Sequence, residues 1–403
     1  MTSAGRDPAA GPAPPRDRAR RRPRVVIAAP LHNGGPHVEA ALRSLLAQTH
    51  ADLRLVLVDD ASTDGTTATA AAIAAEDPRV ELYVNAERLG MLENTRRAWR
   101  LARARHREAE FWALGSDHDV WSPTWLERLV ALLDEHPEAV LAYPQTQRID
   151  EHGRPYDAAR APWRAETSGI REPFARMTAA FRGMVAGDMI YGLFRARVLD
   201  SLGGVYREVL VPDRLLLTEV ALRGEFVQAP EVLWRRRFRG LADLDRQRRA
   251  FFLDAAPRHA AWPWWLQHTG ALLLVYVVRR SGAPGLGRAR GLRVALTYLR
   301  LALALRYRRR MARPRRTLRR HVRVTRARVN RLRHHYAPYR VRHRIEGRLV
   351  LRFGLPAATR LRQGAAVLPA GGTRMIAVAE RLEAAVVLQS VAAAARTARH
   401  QVP

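Results

Sequence analysis

Asp117-His118-Asp119 follows an apolar run, Phe111-Trp112-Ala113-Leu114, and Asp59-Asp60 ends another, Leu55-Val56-Leu57-Val58. Short apolar runs of this kind read as buried strands. Acidic pairs at the carboxyl ends of parallel strands open into one crevice, where ligands bind in open α/β sheets. Carboxylates gathered there repel one another unless a cation is present. Hard oxygen donors suit Mg2+ or Mn2+ carrying a diphosphate. Nucleotide-sugar chemistry is therefore the first expectation.

The elements that must position these acids alternate along the chain. Strands are expected at Val25–Pro30, 53–58, Val80–Val84, 111–114 and Val140–Tyr143. Helices are expected over about 38–46, after the turn Ser62–Thr66, over Met91–Ala104 and over Pro123–Asp134. Strands alternating with helices predict a doubly wound, mostly parallel α/β sheet. Residues 146–180 are polar, with Gly and Pro, and read as a long loop region. Beyond it, Met189–Arg195 and Phe226–Trp234 read as strands and Pro212–Arg223 as a helix, with a boundary near residue 240.

The chain has 403 residues, enough for about two domains. It has no Cys, which excludes disulfides, thiol catalysis and Cys-ligated zinc. Its formal charge is +31, and every Lys-or-Arg position is Arg. Residues 1–23, rich in Pro and Arg with no apolar segment, are expected to be a disordered tail and not a signal peptide. Arg279–Val350 holds 24 Arg against one acid, Glu346. Leu272–Val278 is too short for a membrane span of roughly 20 residues. A helix over about 291–310 carries Leu292, Leu296, Leu299 and Leu303 on one face. Another over 315–336 has a narrower stripe, and an Ala-rich helix is expected at 374–398.

Six blocks in order resemble the family 2 glycosyltransferases, whose fold is called GT-A. They are Val25–Asn33, Val58–Thr66, Gly90 with Asn94 and Ala98, Ser116–Trp121 with Pro123, Ile190–Arg195, and Asp213–Gly224 followed by Pro230–Leu233 and Arg235–Arg237. The likeness covers residues 24–240. One departure lies at Ser116-Asp117-His118-Asp119, where many relatives carry three acids, so the register of the metal ligand is open.

The resemblance implies an inverting transferase that uses a nucleoside-diphosphate sugar and Mg2+ or Mn2+. Pro30, Leu31, Asn33, Asp59, Asp60, Asp117 and Arg237 would bind the donor. One of Asp59 and Asp60 would accept from the nucleobase; the alternative for both is capping of the following helix. Asp117 and Asp119 would hold the metal; the alternative is a solvated turn. Asp213 would be the general base; the alternative is an N-cap for the helix that begins with Pro212-Asp213. For Arg237, in the run Arg235–Arg237, the alternative to a diphosphate contact is a basic surface. His118 reads as a bystander, and Trp112, Trp121 and Trp125 read as core.

Residues 241–403 are expected to form a basic helical extension. It would lie on an anionic membrane surface, with Trp262, Trp264 and Trp265 at the interface, or pack on the catalytic domain. Nucleic acid is the disfavoured partner. The acceptor would be a glycan or a lipid-linked molecule, at the cytoplasmic face of a cell membrane, in surface-glycan synthesis. The rival reading is an inactive GT-A scaffold whose Arg-rich region binds lipid or nucleic acid.

Overall fold

The computed structural model describes residues 23–155, 167–184, 188–237, 244–253, 256–279 and 287–307. The tail through residue 22 and the helices expected at 315–336 and 374–398 lie outside the described residues. Two compact units divide the chain, Met1–Ala302 and Leu303–Pro403. The first holds the sheet and continues well past residue 240.

Eight strands form one mixed sheet: β1 (Val25–Leu31), β2 (Leu53–Asp59), β3 (Val80–Val84), β4 (Phe111–Leu114), β5 (Val120–Trp121), β6 (Ala139–Ile149), β7 (Leu193–Arg195) and β8 (Glu225–Arg237). Their order is β3-β2-β1-β4-β7-β6-β8-β5. The first four run parallel. β7 enters antiparallel between β4 and β6, and β5 lies antiparallel on β8. The expected α/β class is therefore present, with antiparallel insertions that helix–strand alternation alone does not reveal.

The central strand β1 explains its own apolar run. Val25, Ile27, Ala29 and Leu31 enter one core cluster, while Val26 and Ala28 enter the other. Successive side chains point to opposite faces, and both faces are covered by helices, so every position must be apolar. Helices α1 (Val38–Leu46) and α4 (Trp125–Glu135) supply the first cluster; α3 (Met91–Arg105) supplies the second. α2 (Thr66–Glu76) packs beside α1. Trp112, Trp121 and Trp125 are core residues, as expected.

Three expectations are corrected. The stretch 146–180 is not all loop. β6 continues to Ile149 because its polar second half pairs with β8, Gln147 with Arg235 and Ile149 with Arg237. Helix α5 (Pro173–Gly183) follows, burying Arg176, Met177, Ala180 and Phe181 on one face. Its start is set by Glu172, whose carboxylate accepts from the Ala175 N–H, and by Pro173. Next, Met189 is not in a strand; Asp188–Tyr191 form a 3-10 turn, and only Leu193–Arg195 pair with the sheet. The short helix α6 (Ala196–Ser201) and then α7 (Pro212–Ala221) follow.

Gly192 joins that turn to β7. A Cβ there would stand 2.4 Å from Ala142 O and 2.9 Å from Tyr143 Cβ. Gly192→Ala is expected to lower unfolding stability by about 1–3 kcal/mol. An unchanged denaturation midpoint would contradict this close approach.

The third correction concerns the segment after the sheet. It contains α8 (Leu244–Phe252), α9 (Trp264–Leu273) with a π-helical extension Leu274–Val278, and α10 over 288–307. α10 buries Val294, Ala295, Tyr298, Leu301 and Ala302, with Leu299 beside them, while Leu292 and Leu296 are exposed. Of the expected Leu stripe, Leu292 and Leu296 are thus exposed and Leu299 is buried. Gly291 allows a close approach there: a Cβ on it would lie 2.7 Å from Tyr276 O. Among the described residues, no helix is long and apolar enough to cross a membrane.

Candidate active site

The floor of the site is where β1, β2 and β4 end together. Leu31 pairs with Asp59, and Ala28 with Leu114. The turns after β1 and β2 are bonded to each other. Asn33 N–H donates to Ser62 Oγ at 3.0 Å, and Thr63 N–H to Asn33 Oδ1 at 2.9 Å. Gly34 N–H donates to Thr66 Oγ1 at 2.9 Å, and Gly35 N–H to Asp64 Oδ2 at 2.8 Å. Asn33 and Ala61 have φ of 50° and 52°. Such left-handed non-glycine residues cluster at ligand sites, where the surroundings impose them.

Asp59 and Asp60 are buried in this lattice. Asp59 accepts from Ser62 N–H at 3.0 Å and from Thr67 Oγ1–H at 2.8 Å. Asp60 accepts from Asn85 Nδ2–H at 2.8 Å, Leu89 N–H at 2.7 Å and Gly90 N–H at 2.9 Å. Neither is the cap of α2, whose N-cap residue is Gly65. Both carboxylates shape the wall through charge-assisted bonds. Pro30 lies in β1, and Leu31 O accepts from Asp60 N–H at 2.9 Å.

Asp117 stands beside this floor. Its Oδ2 accepts from His32 N–H at 2.9 Å, and its Oδ1 contacts His118 Nδ1 at 2.5 Å. Asp119 is deeper. Its Oδ1 accepts from Arg237 N–H at 2.8 Å. Burial raises its pKa, against the opposing pull of His118, the Arg237 N–H, Arg236 and Ser116.

The pairing of β5 with β8 brings Arg237 here, since Val120 lies opposite Arg235. The Arg237 guanidinium is held by backbone carbonyls. It donates to His118 O at 2.9 Å, Asp150 O at 2.8 Å and Glu151 O at 2.7 Å. Arg237→Met should therefore cost about 2–4 kcal/mol of stability, because three carbonyls lose a charged donor. A loss of nucleotide affinity with stability unchanged would instead make it a donor ligand. Arg195 is likewise structural, bonded to Ala139 O, Leu133 O and Glu110.

Arg236 faces the crevice instead. It bonds Asp188 at 2.5 Å and lies over the Trp234 ring, 5.8 Å from its centroid. Burial would lower its pKa, but Asp188, Tyr191, Asp119 and Asp213 hold it above its ordinary value. Tyr191 stacks on Trp234 at 4.5 Å. Burial raises the Tyr191 pKa, and Asp119, Asp213 and Asp117 raise it further. Arg236 thus lies in the field of Asp188, Tyr191, Asp119 and Asp213, and Tyr191 in that of Asp117, Asp119 and Asp213.

Asp213 is half-buried at the second position of α7. It is not the N-cap, a position held by Val211. Burial raises its pKa and Asp188 adds to this, while its own backbone N–H, Arg236 and Arg214 oppose. Sequence reading missed Asp188 and Tyr191, and left open which of Arg235, Arg236 and Arg237 faces the site. Tyr191 lay inside one of the family-like blocks, and Arg236 beside Arg237, but no spacing rule distinguished their directions.

Among the described residues there is no cluster of three metal-ligating side chains. The donor set nevertheless fits a hard cation bound through one or two carboxylates and completed by phosphate oxygens and water. Burial disfavours the charge of Asp119, and a cation would reverse this.

A mixed α/β sheet with acidic residues at its strand ends places them where ligands bind in open α/β folds. Comparison narrows this. Residues 26–199 match the family model described as Glycosyl transferase family 2. The uncharacterized protein y4gI of Sinorhizobium fredii is 30% identical over 138 residues, covering 34% of this chain and 15% of that protein. S. aureus TarS shares 15% identity at a TM-score of 0.46, covering 68% of this chain and 43% of TarS. The chain thus spans less than half the length of either. The mannosyltransferase PcManGT from Pyrobaculum calidifontis, solved with GDP-Man and Mn2+, shares 20% identity at a TM-score of 0.38, covering 71% and 76% of the two chains.

Proposed function

We propose that this protein is an inverting, divalent-metal-dependent transferase that moves a sugar from a nucleoside-diphosphate donor to an acceptor hydroxyl. One observation carries the reading. Asp213 is a half-buried carboxylate at the second position of α7, an element separate from the turn after β4 that carries Asp117 and Asp119. Inversion needs one such base on the acceptor side and a separate anionic clamp on the donor side.

The donor side is the wall built by Pro30, Leu31, Asn33, Asp59 and Asp60. Asp117 and Asp119 would hold Mg2+ or Mn2+, which supplies Lewis-acid neutralisation of the diphosphate. Arg236 adds a fork of donors toward the same charge. Asp213 accepts the hydroxyl proton as the acceptor oxygen attacks. Tyr191 stacks on the fully buried Trp234.

The acceptor is a glycan or a lipid-linked molecule. A cavity of about 690 Å3 borders Tyr206, which shares a field with Asp213; its lining includes Trp99, Arg207, Trp262, Leu274 and Arg279. Trp262, Leu274, Val278, Leu292 and Leu296 are exposed. Together with the Arg-rich sequence 279–350, they support a place on an anionic membrane surface at the cytoplasmic face, in cell-surface glycan synthesis.

Calorimetric titration of UDP, GDP and dTDP with Mn2+, then with EDTA, tests the donor site. Metal-dependent binding of one nucleotide supports the reading. No binding of any to folded protein moves the weight to an inactive scaffold. Failure to sediment with anionic vesicles would remove the membrane component alone.

A further inference from the structure

Three side chains from the segment after the sheet hold the two residues that precede Pro212. Leu210 N–H donates to Gln267 Oε1 at 2.9 Å. Leu210 O accepts from His268 Nε2–H at 2.6 Å. Val211 N–H donates to Gln247 Oε1 at 3.2 Å. The backbone they hold is strained: Val211 has φ 55° and ψ 47°. A β-branched residue adopts this region only when its surroundings impose it. The following proline adds its own restriction.

The holders are themselves fixed. Gln267 Nε2–H donates to Trp262 O at 2.7 Å, which orients the amide so that its oxygen meets Leu210. His268 is fully buried in α9. Its Nε2 meets a carbonyl and so carries the proton; its Nδ1 is then free to accept from the Tyr298 hydroxyl of α10. Burial lowers the His268 pKa to about 3, so the ring is neutral. Tyr298 packs edge-on against Phe181 at 5.2 Å, and Phe181 carries the Arg214 guanidinium on its face at 4.8 Å. Arg214 is the residue after Asp213. The segment 244–302 thus grips Asp213 from both sides in sequence.

We propose that Gln247, Gln267 and His268 are positioning residues for the base: they hold Leu210-Val211 in the left-handed turn that starts α7, and so fix where the Asp213 carboxylate stands. This rests on the reading of Asp213 as the general base. Without the clamp, Val211 relaxes toward negative φ. Pro212 cannot absorb that rotation, because its ring fixes its own φ. The change passes to Asp213, two residues on.

Gln247 is half-buried, so its replacement leaves the core intact. Gln247→Met should lower kcat about tenfold through misplacement of the base. The donor KM and the nucleotide affinity measured with Mn2+ should not change, because the donor wall is built by other turns. Gln247→Glu, which keeps an acceptor oxygen for Val211 N–H, should recover most of the rate. In a Val211→Gly background, where the left-handed turn is free of strain, Gln247→Met should cost less than about threefold.

A wild-type kcat in Gln247→Met overturns the proposal, as does an equal loss in the glycine background. Should Gln247→Met not fold, Gln267→Met against Gln267→Glu repeats the comparison at Leu210. Asp213→Asn separates the two readings. If it stays active, the base assignment fails. If it is inactive while both glutamine series are unaffected, only the clamp is wrong.

Discussion

Asp213→Asn should reduce sugar transfer by about 10³-fold while leaving metal-dependent nucleotide binding at wild-type affinity. Asparagine keeps the size and the helix position but cannot take a proton. The donor wall is assembled from the turns after β1, β2 and β4, none of which Asp213 bonds. The same carboxylate sets a pH limb. A base must be deprotonated to act, so kcat falls as pH drops through its pKa. Burial has raised that pKa above the ordinary aspartate value, ahead of the opposing pull of its backbone N–H, Arg236 and Arg214. The acid limb of the wild type should therefore lie higher than an exposed aspartate would place it, and residual activity in the asparagine variant should lose it. Full turnover in the variant would remove Asp213 from the chemistry.

Asp119→Asn should weaken Mn2+-dependent nucleotide binding by about 10²-fold, since each 1.4 kcal/mol of lost charge interaction is a factor of ten. The fold should survive. The amide oxygen still accepts from the Arg237 N–H, the bond Asp119 makes at 2.8 Å. Burial of one fewer charge also offsets part of any loss in stability. The diagnostic is the EDTA difference: wild-type affinity should fall on chelation, whereas the variant should bind equally weakly with and without metal. A variant that binds as tightly as wild type and remains EDTA-sensitive would shift the metal role to Asp117.

Much of the site was legible in the chain. Asp59, Asp60, Asp117 and Asp119 stand at the ends of apolar runs, and runs of that kind form strands whichever neighbours they meet. What was not legible was the use each acid makes of its oxygens. Asp60 reads as a free ligand in sequence, yet Asn85, Leu89 and Gly90 all donate to it. Those donors sit on a loop after β3, where only Gly90 falls in a family-like block. Arg237 and Arg236 are adjacent and identical in type. Alternation along β8 sends one guanidinium to the carbonyls of 118, 150 and 151, and the other to Asp188. A period of two is readable from sequence; its phase against a distant turn is not.

The helix at 288–307 gives the same lesson on a larger scale. Its Leu spacing suggested one stripe; Leu292 and Leu296 of that stripe are exposed, whereas Ala295, Tyr298 and Ala302 are buried, and Gly291 lets Tyr276 approach closely. Sequence by itself determined the α/β class, the acidic crevice and the absence of thiol chemistry, because local apolar periodicity and residue type suffice for these. Only the tertiary structure decided which acids share a crevice, which arginine faces it, and that Gln247, Gln267 and His268 reach Leu210 and Val211. Each of those is a hydrogen bond or field between groups far apart in the chain, and no local pattern encodes which distant partner a polar atom will meet.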